Sequence, residues 1–189
     1  APLAPLGLEQ AAHLGVRFMA LPLAAIYASP LQRASQTAAA IAAYHDLKVQ
    51  IEPDVIEING GSLEDLTFDE MQALYPKELE YFDTQPHLFT APGGESILDV
   101  YTRMVGAIGN IAQRHPNQSV VVVSHGCAIR SYLSFAKSYP LERMGEAQWG
   151  QNTGVSHVIY HQGKVSLHQI NDISHLPTGL SAGDWEKPL

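Results

Sequence analysis

Short apolar runs alternate along the chain with longer stretches of helical periodicity. Five of the short runs predict strands: 24–28, 49–52, 120–123, 155–160 and 165–170. Three longer stretches predict helices: 8–21, 35–44 and 96–114. The capping box Ser96-x-x-Asp99 opens the last of these, and a second box, Thr67-x-x-Glu70, is expected to open a further helix. Strands separated by helices indicate an α/β fold, a three-layer α/β/α sandwich with a mostly parallel sheet.

The last two strands and the valine-rich strand have features of their own. The strands 155–160 and 165–170 meet at Gln162-Gly163 and predict an antiparallel hairpin at an edge of the sheet. Four consecutive valines, Val120 to Val123, predict a strand that is covered on both faces.

The segment 81–94 is rich in aromatic residues and proline, and we expect it to be irregular and to form part of a lid. No repeat or linker divides residues 1–189, so the pattern predicts one domain.

Composition narrows the class of protein. The chain has 189 residues, is 46% apolar and carries a formal charge of −8, which argues against nucleic acid as a partner. A local pocket of arginine and histidine can still attract a phosphorylated substrate. No apolar run approaches the length of a membrane span. The single cysteine, Cys127, excludes an internal disulfide and favours a reducing cytoplasm, where it would be a buried small residue.

The first candidate for chemistry is His125. It follows the valine run and precedes an apolar helical pattern, so it lies at the carboxyl end of a strand and at the entrance of a helix. Proteins of the α/β class place ligands and chemistry at this point. The alternative is a histidine that only hydrogen-bonds its own turn.

The second candidate is Arg33. Ser29 is a plausible N-cap and Pro30 suits the first helical position, which puts Arg33 in the first turn of the next helix. A cation is unfavourable at the positive end of a helix, unless an anion lies between it and the free N–H groups. The alternative is a solvated surface arginine.

These segments, together with Val55-Ile56-Glu57-Ile58 and Pro92-Gly93-Gly94-Glu95-Ser96, resemble the histidine phosphatase superfamily. The resemblance is to the broad-specificity phosphatase branch related to cofactor-dependent phosphoglycerate mutase, and it covers nearly the whole chain. It implies a phosphoglycerate mutase-like fold and hydrolysis of phosphomonoesters through a phosphohistidine. It also implies that neither a metal nor another cofactor is needed.

The resemblance assigns roles to four residues. Arg33 and His125 bind the phosphate oxygens and stabilise the transferring group, and Gly126 contributes through its backbone. Glu57 is the proton donor, while the nearby Glu64 and Asp65 remain alternatives for that role.

The chain departs from the family pattern in two places. The Arg-His-Gly tripeptide that carries the nucleophilic histidine is absent. We expect it on a first strand that precedes Ala1, so that residues 1–189 alone would be inactive; the alternative is a natural variant without a nucleophile. The short interval between Glu57 and Gly94, and Cys127 where mutases carry asparagine, favour a phosphatase over a phosphoglycerate mutase.

The sequence fits other classes of protein less well. A cysteine phosphatase needs Cys-x5-Arg, which Cys127 does not provide. His157 and His161 would need a third ligand to bind a metal, so we expect no metal site. The serious alternative is a non-catalytic phosphate-binding or scaffold protein on the same fold. The expected partner is a small phosphorylated metabolite in the cytoplasm, with no nucleic acid and no membrane, and homodimer formation stays open.

Overall fold

The computed structural model describes residues 1–181, which form helices packed around two separate sheets. The first sheet is parallel and has the order β2-β1-β3, with these bounds: β1 (Leu23–Ala28), β2 (Val49–Ile51) and β3 (Ser119–Val123). The second is an antiparallel hairpin of β4 (Val155–His161) and β5 (Lys164–Asp172). The predicted α/β class and the predicted hairpin are confirmed. Within the described residues the hairpin does not pair with the parallel sheet, so one continuous sheet is not formed.

The structure contains six α-helices within residues 1–181: α1 (Pro5–Phe18), α2 (Gln32–Ala42), α3 (Phe68–Leu74), α4 (Pro76–Thr84), α5 (Ile97–Arg114) and α6 (Gly126–Ala136). Helix α1 begins and ends three residues before the predicted 8–21, while α2 begins between the two predicted starts, Pro30 and Ser35, and ends at Ala42. Short 3₁₀ turns lie at Pro53–Val55, Gly61–Leu63, Pro86–Leu88 and Leu141–Glu146. The predicted capping boxes at Thr67 and Ser96 both form and fix the starts of α3 and α5.

Helices cover both faces of the parallel sheet. Ile26 of β1 contacts the cluster formed with α1 and α2, while the next residue, Tyr27, packs against Ile111 of α5. This alternation follows from the two-residue period of a strand. A larger cluster between α5 and α6 includes Val100 and Tyr132. The three-layer arrangement is therefore present around β1.

The valine run of β3 is not buried as the sequence predicted. Val120 to Val123 are all half-buried, whereas Ile26, Tyr27 and Ala28 in β1 are 0%, 4% and 0% exposed. The physical reason is that β3 pairs only with β1 within residues 1–181, so its other edge has no strand beside it. A strand that lacks one neighbour cannot be fully covered.

The segment 81–94 is more regular than predicted. It continues α4 to Thr84 and then forms the 3₁₀ turn Pro86–Leu88. Phe82 and Phe89 pack edge-to-face, with ring centroids 4.9 Å apart, and belong to an apolar cluster that also contains Cys127 and Met144. The segment is thus anchored beside the start of α6.

A membrane-spanning segment was not expected from the sequence. Among the helices within residues 1–181, none combines the length and the apolar character needed to cross a bilayer.

Helices α1 and α2 approach closely at a glycine. A Cβ built on Gly15 would lie 2.4 Å from the carbonyl oxygen of Ala40, whereas one built on Gly106 of α5 would meet nothing within 4 Å. We expect Gly15→Ala to destabilise the fold by roughly 1–3 kcal/mol because backbone must move. Gly106→Ala should instead stabilise it by about 0.5–1 kcal/mol through helix propensity. Urea unfolding of the two variants measures this. Equal changes in the free energy of unfolding would contradict the close approach of α1 to α2 at Gly15.

Candidate active site

His125 lies where β3 ends and α6 begins. It is the N-cap residue of α6 and is 7% exposed. Its Nδ1 accepts a hydrogen bond of 3.1 Å from Nε of Arg33, and its Nε2 lies 2.7 Å from the hydroxyl oxygen of Ser29. A guanidinium can only donate, so Nδ1 carries no proton and Nε2–H donates to Ser29. The imidazole is thereby held in one tautomer.

Burial also fixes the charge of His125. Desolvation, together with the smaller effect of the positive charges of Arg33 and Arg103, lowers its pKa from 6.5 to about 4. The ring is therefore neutral at pH 7 in this state. Its one N–H, at Nε2, donates to Ser29, so the ring must exchange that bond before it donates to a phosphate oxygen.

Arg33 is placed by the turn that contains Ser29. The Ser29 amide donates to the carbonyl of Val123 at 3.0 Å, and its hydroxyl accepts from the Leu31 amide at 3.2 Å. Helix α2 consequently begins at Gln32, two residues later than the predicted Pro30, with no side-chain cap. Arg33 is still in the first turn, as predicted. Within residues 1–181 its two terminal nitrogens donate to no other residue, so they are available to an anion.

Glu57 does not follow a strand, because the preceding Pro53–Val55 is a 3₁₀ turn. Its carboxylate accepts hydrogen bonds from the amides of Cys127 at 3.2 Å and Ala128 at 3.0 Å, in the first turn of α6. The Ile58 amide adds a third bond of 3.0 Å. The Glu57 carboxylate therefore occupies the N-terminus of α6, the end at which helices bind anions.

The four predicted residues converge on the start of α6. His125 caps the helix, Gly126 is its first residue, Glu57 binds the next two amides, and Arg33 contacts His125. The Gly126 amide donates to no residue in the described range, so it can serve an incoming anion. The alternative acid Glu64 is exposed and accepts from the Gly60 amide instead.

Three further residues support the site and were not predicted. Ser29 is fully buried and bonds His125. Arg103 of α5 binds Glu95, and both contact the loop around Glu57. Glu95 and Ser29 lie within segments that carry the family resemblance, but no local sequence pattern indicates that Arg103 contacts the loop of Glu57. Only the packing of α5 reveals that contact.

Residues 1–181 contain no group of three or more His, Cys, Asp or Glu side chains suited to a metal ion. Cys127 is buried as predicted, and burial, followed by the charge of Glu57, raises the pKa of its thiol to about 12. It is a poor nucleophile, because reactivity requires the thiolate.

Comparison with known proteins gives a consistent result. The sequence profile of the histidine phosphatase superfamily (branch 1) matches residues 1–173. Phosphoserine phosphatase 1 of Hydrogenobacter thermophilus is 37% identical over 125 residues, which cover 66% of this chain and 59% of that protein. A metal-independent phosphoserine phosphatase of Arabidopsis thaliana is 32% identical over 155 residues, which cover 80% of this chain and 63% of that protein.

A solved structure shares the fold. Bacillus stearothermophilus YhfR superposes with a TM-score of 0.89 at 30% identity, covering 93% of this chain and 87% of that one. The match spans about three fifths of the length of the two phosphoserine phosphatases.

The depressed pKa of His125 predicts a pH-dependent stability. Between pH 6.5 and 4 the unfolded chain takes up a proton that the folded chain refuses, so stability is full above pH 6.5 and falls as the pH drops towards 4. The loss should be on the order of 3 kcal/mol. Urea unfolding at several pH values should show this loss in the wild type and a correspondingly flatter dependence in His125→Asn, where the carboxylates still titrate. Identical slopes would contradict a neutral buried imidazole.

Proposed function

The chain belongs to branch 1 of the histidine phosphatase superfamily, and we propose that it carries most of the active site of a metal-independent phosphomonoesterase. The observation that carries this proposal is the convergence of Arg33, His125 and Glu57 on the start of α6. The Arg33 cation and the N–H donors at the start of α6 lie in the same region as the Glu57 carboxyl group, which can transfer a proton. Transfer of a phosphoryl group needs this combination.

The proposed substrate is a small phosphate ester of an alcohol. Two of the relatives are phosphoserine phosphatases, which makes phosphoserine the first compound to assay. The name of one relative includes metal independence, and this supports the Arg33 cation, with His125 as a hydrogen-bonding group, as the partners of the phosphate oxygens. Arg33 would bind the oxygens of the same phosphate group to whose leaving oxygen Glu57 gives a proton.

The proposed reaction has two steps. A histidine nitrogen attacks phosphorus while the bond from phosphorus to the ester oxygen breaks, and Glu57 gives its proton to that oxygen, releasing the alcohol. Water then attacks the phosphohistidine, the bond from phosphorus to nitrogen breaks, and Glu57 accepts a proton from the water. Arg33 and His125 hold the non-bridging oxygens in both steps.

The nucleophile is proposed to come from an additional strand between β3 and β4. Both flanking edges are unpaired within residues 1–181. Val122 of β3 and Val158 of β4 pack on the same α5–α6 cluster, and Val121 and Val155 pack on the same α1–α2 cluster. The two sheets therefore share both helical layers, which supports one domain in which a further strand lies between β3 and β4. A strand parallel to β3 would end beside His125, where the family's Arg-His-Gly is expected.

Trapping tests the origin of the nucleophile. A protein that includes the proposed strand should retain label from a radioactive phosphomonoester after an alkaline quench, with or without EDTA, because phosphohistidine survives base. Residues 1–189 alone should retain none, and neither should the variant whose Arg-His-Gly histidine is alanine. Label on residues 1–189 alone would place the nucleophile within this chain. A complete protein that binds phosphate but never labels would favour the non-catalytic alternative.

Glu57→Gln tests the proton donor. In the complete protein, kcat/KM for an alkyl phosphate such as phosphoserine should fall at least about a hundredfold, because a poor leaving group needs a proton in the transition state. The value for p-nitrophenyl phosphate should fall less than about fivefold, since nitrophenolate leaves without one. Glu64→Gln is the matched control and should change neither substrate. Equal losses on both substrates would argue that Glu57 is only structural.

A further inference from the structure

Arg103 reaches from α5 to the loop that carries Glu57. Its Nη1 donates to the carbonyl oxygens of Asp54 at 2.9 Å and Ile56 at 2.6 Å, and its Nη2 donates to the carbonyl oxygen of Glu57 at 3.1 Å. Within residues 1–181 these three carbonyls accept no other hydrogen bond. One side chain from another element therefore satisfies three carbonyl groups of the loop around Glu57.

Glu95 completes the arrangement from the other side. It accepts two bonds from Arg103, at 2.8 Å from Nε and 3.0 Å from Nη2, and its Oε2 also accepts from the Asn59 amide at 2.8 Å. The Arg103 and Glu95 side chains are only 14% and 24% exposed, so solvent screens the pair weakly. The backbone is thus held both before and after Glu57.

The donor count separates Arg103 from Arg33. A guanidinium has five N–H donors, and the five bonds of Arg103 go to Glu95 and to backbone carbonyls. None is left for a substrate phosphate. Arg33 uses only Nε and keeps its terminal nitrogens available within the described residues.

We propose that Arg103 and Glu95 form a positioning pair that holds the Glu57 carboxylate at the start of α6, ready for proton transfer. This inference rests on the proposed role of Glu57. The planar fork of arginine matches both the carboxylate and the row of carbonyls, and lysine cannot reproduce that geometry. A small displacement of the loop would move the carboxylate away from the amides of Cys127 and Ala128.

Kinetics of the complete protein test the pair. Arg103→Met should lower kcat/KM for an alkyl phosphate at least about tenfold and for p-nitrophenyl phosphate less than about threefold, because only proton donation is misplaced. Glu95→Gln keeps the shape of the side chain and should show a weaker loss with the same substrate preference. Arg143→Met is the control, since it removes an exposed ion pair with Glu146 and should change neither rate.

A double mutant tests whether Arg103 acts through Glu57. In a Glu57→Gln background, Arg103→Met should lower alkyl phosphate hydrolysis less than about threefold further. The inference would be overturned if the double mutant lost activity by the product of the two single-mutant factors. It would also be overturned if Arg103→Met lowered alkyl and aryl phosphate hydrolysis equally, or if Arg103→Lys kept full activity.

Amide hydrogen exchange gives a readout that does not depend on turnover. The amides of Cys127 and Ala128 should exchange at least about tenfold faster in Arg103→Met, as they should in Glu57→Ala, because their acceptor is released. Unchanged exchange in Arg103→Met with fast exchange in Glu57→Ala would overturn the positioning role. If Glu57→Gln shows no preference between alkyl and aryl substrates, the acid role of Glu57 fails, while exchange still decides whether Arg103 positions it.

Discussion

The bond between the Glu57 carboxylate and the first turn of α6 is the interaction on which the rest of the site depends. The early amides of a helix have no partner within it, and their dipoles attract negative charge. Helix α6 has no side-chain cap of its own at His125, so the carboxylate from a distant loop satisfies two of its amides. This contact brings the Glu57 loop, the end of β3 and the start of α6 to one point.

The same point explains how an acidic chain can receive phosphate. The formal charge of −8 is the sum over residues 1–189, but Arg33 and the Gly126 amide, which has no acceptor within residues 1–181, lie beside His125. His125 stays neutral because it is buried beside Arg33 and Arg103. A bound dianion would offset the cost of charging the ring, so anion binding and proton uptake are linked at this histidine.

The sequence predicted which residues lie together at the start of α6 better than it predicted the elements that carry them. The strand–histidine–helix pattern located His125, and the capping boxes located the starts of α3 and α5. These signals are local, so one sequence suffices to detect them. The half-buried valines of β3 and the 3₁₀ turn before Glu57 were not predicted, because both depend on neighbours far away in the chain.

The contrast between the two arginines shows why the supporting residues escaped sequence analysis. Arg33 lies in the first turn of its helix, where an unpaired cation is conspicuous. Arg103 lies within α5, where a charged side chain is ordinary, and its function depends on carbonyls that have no sequence signature. Within residues 1–181 Arg33 keeps its terminal nitrogens available, as its proposed role requires, whereas Arg103 uses all five of its donors. Donor occupancy, which only coordinates reveal, therefore distinguishes the two roles where residue type and charge do not.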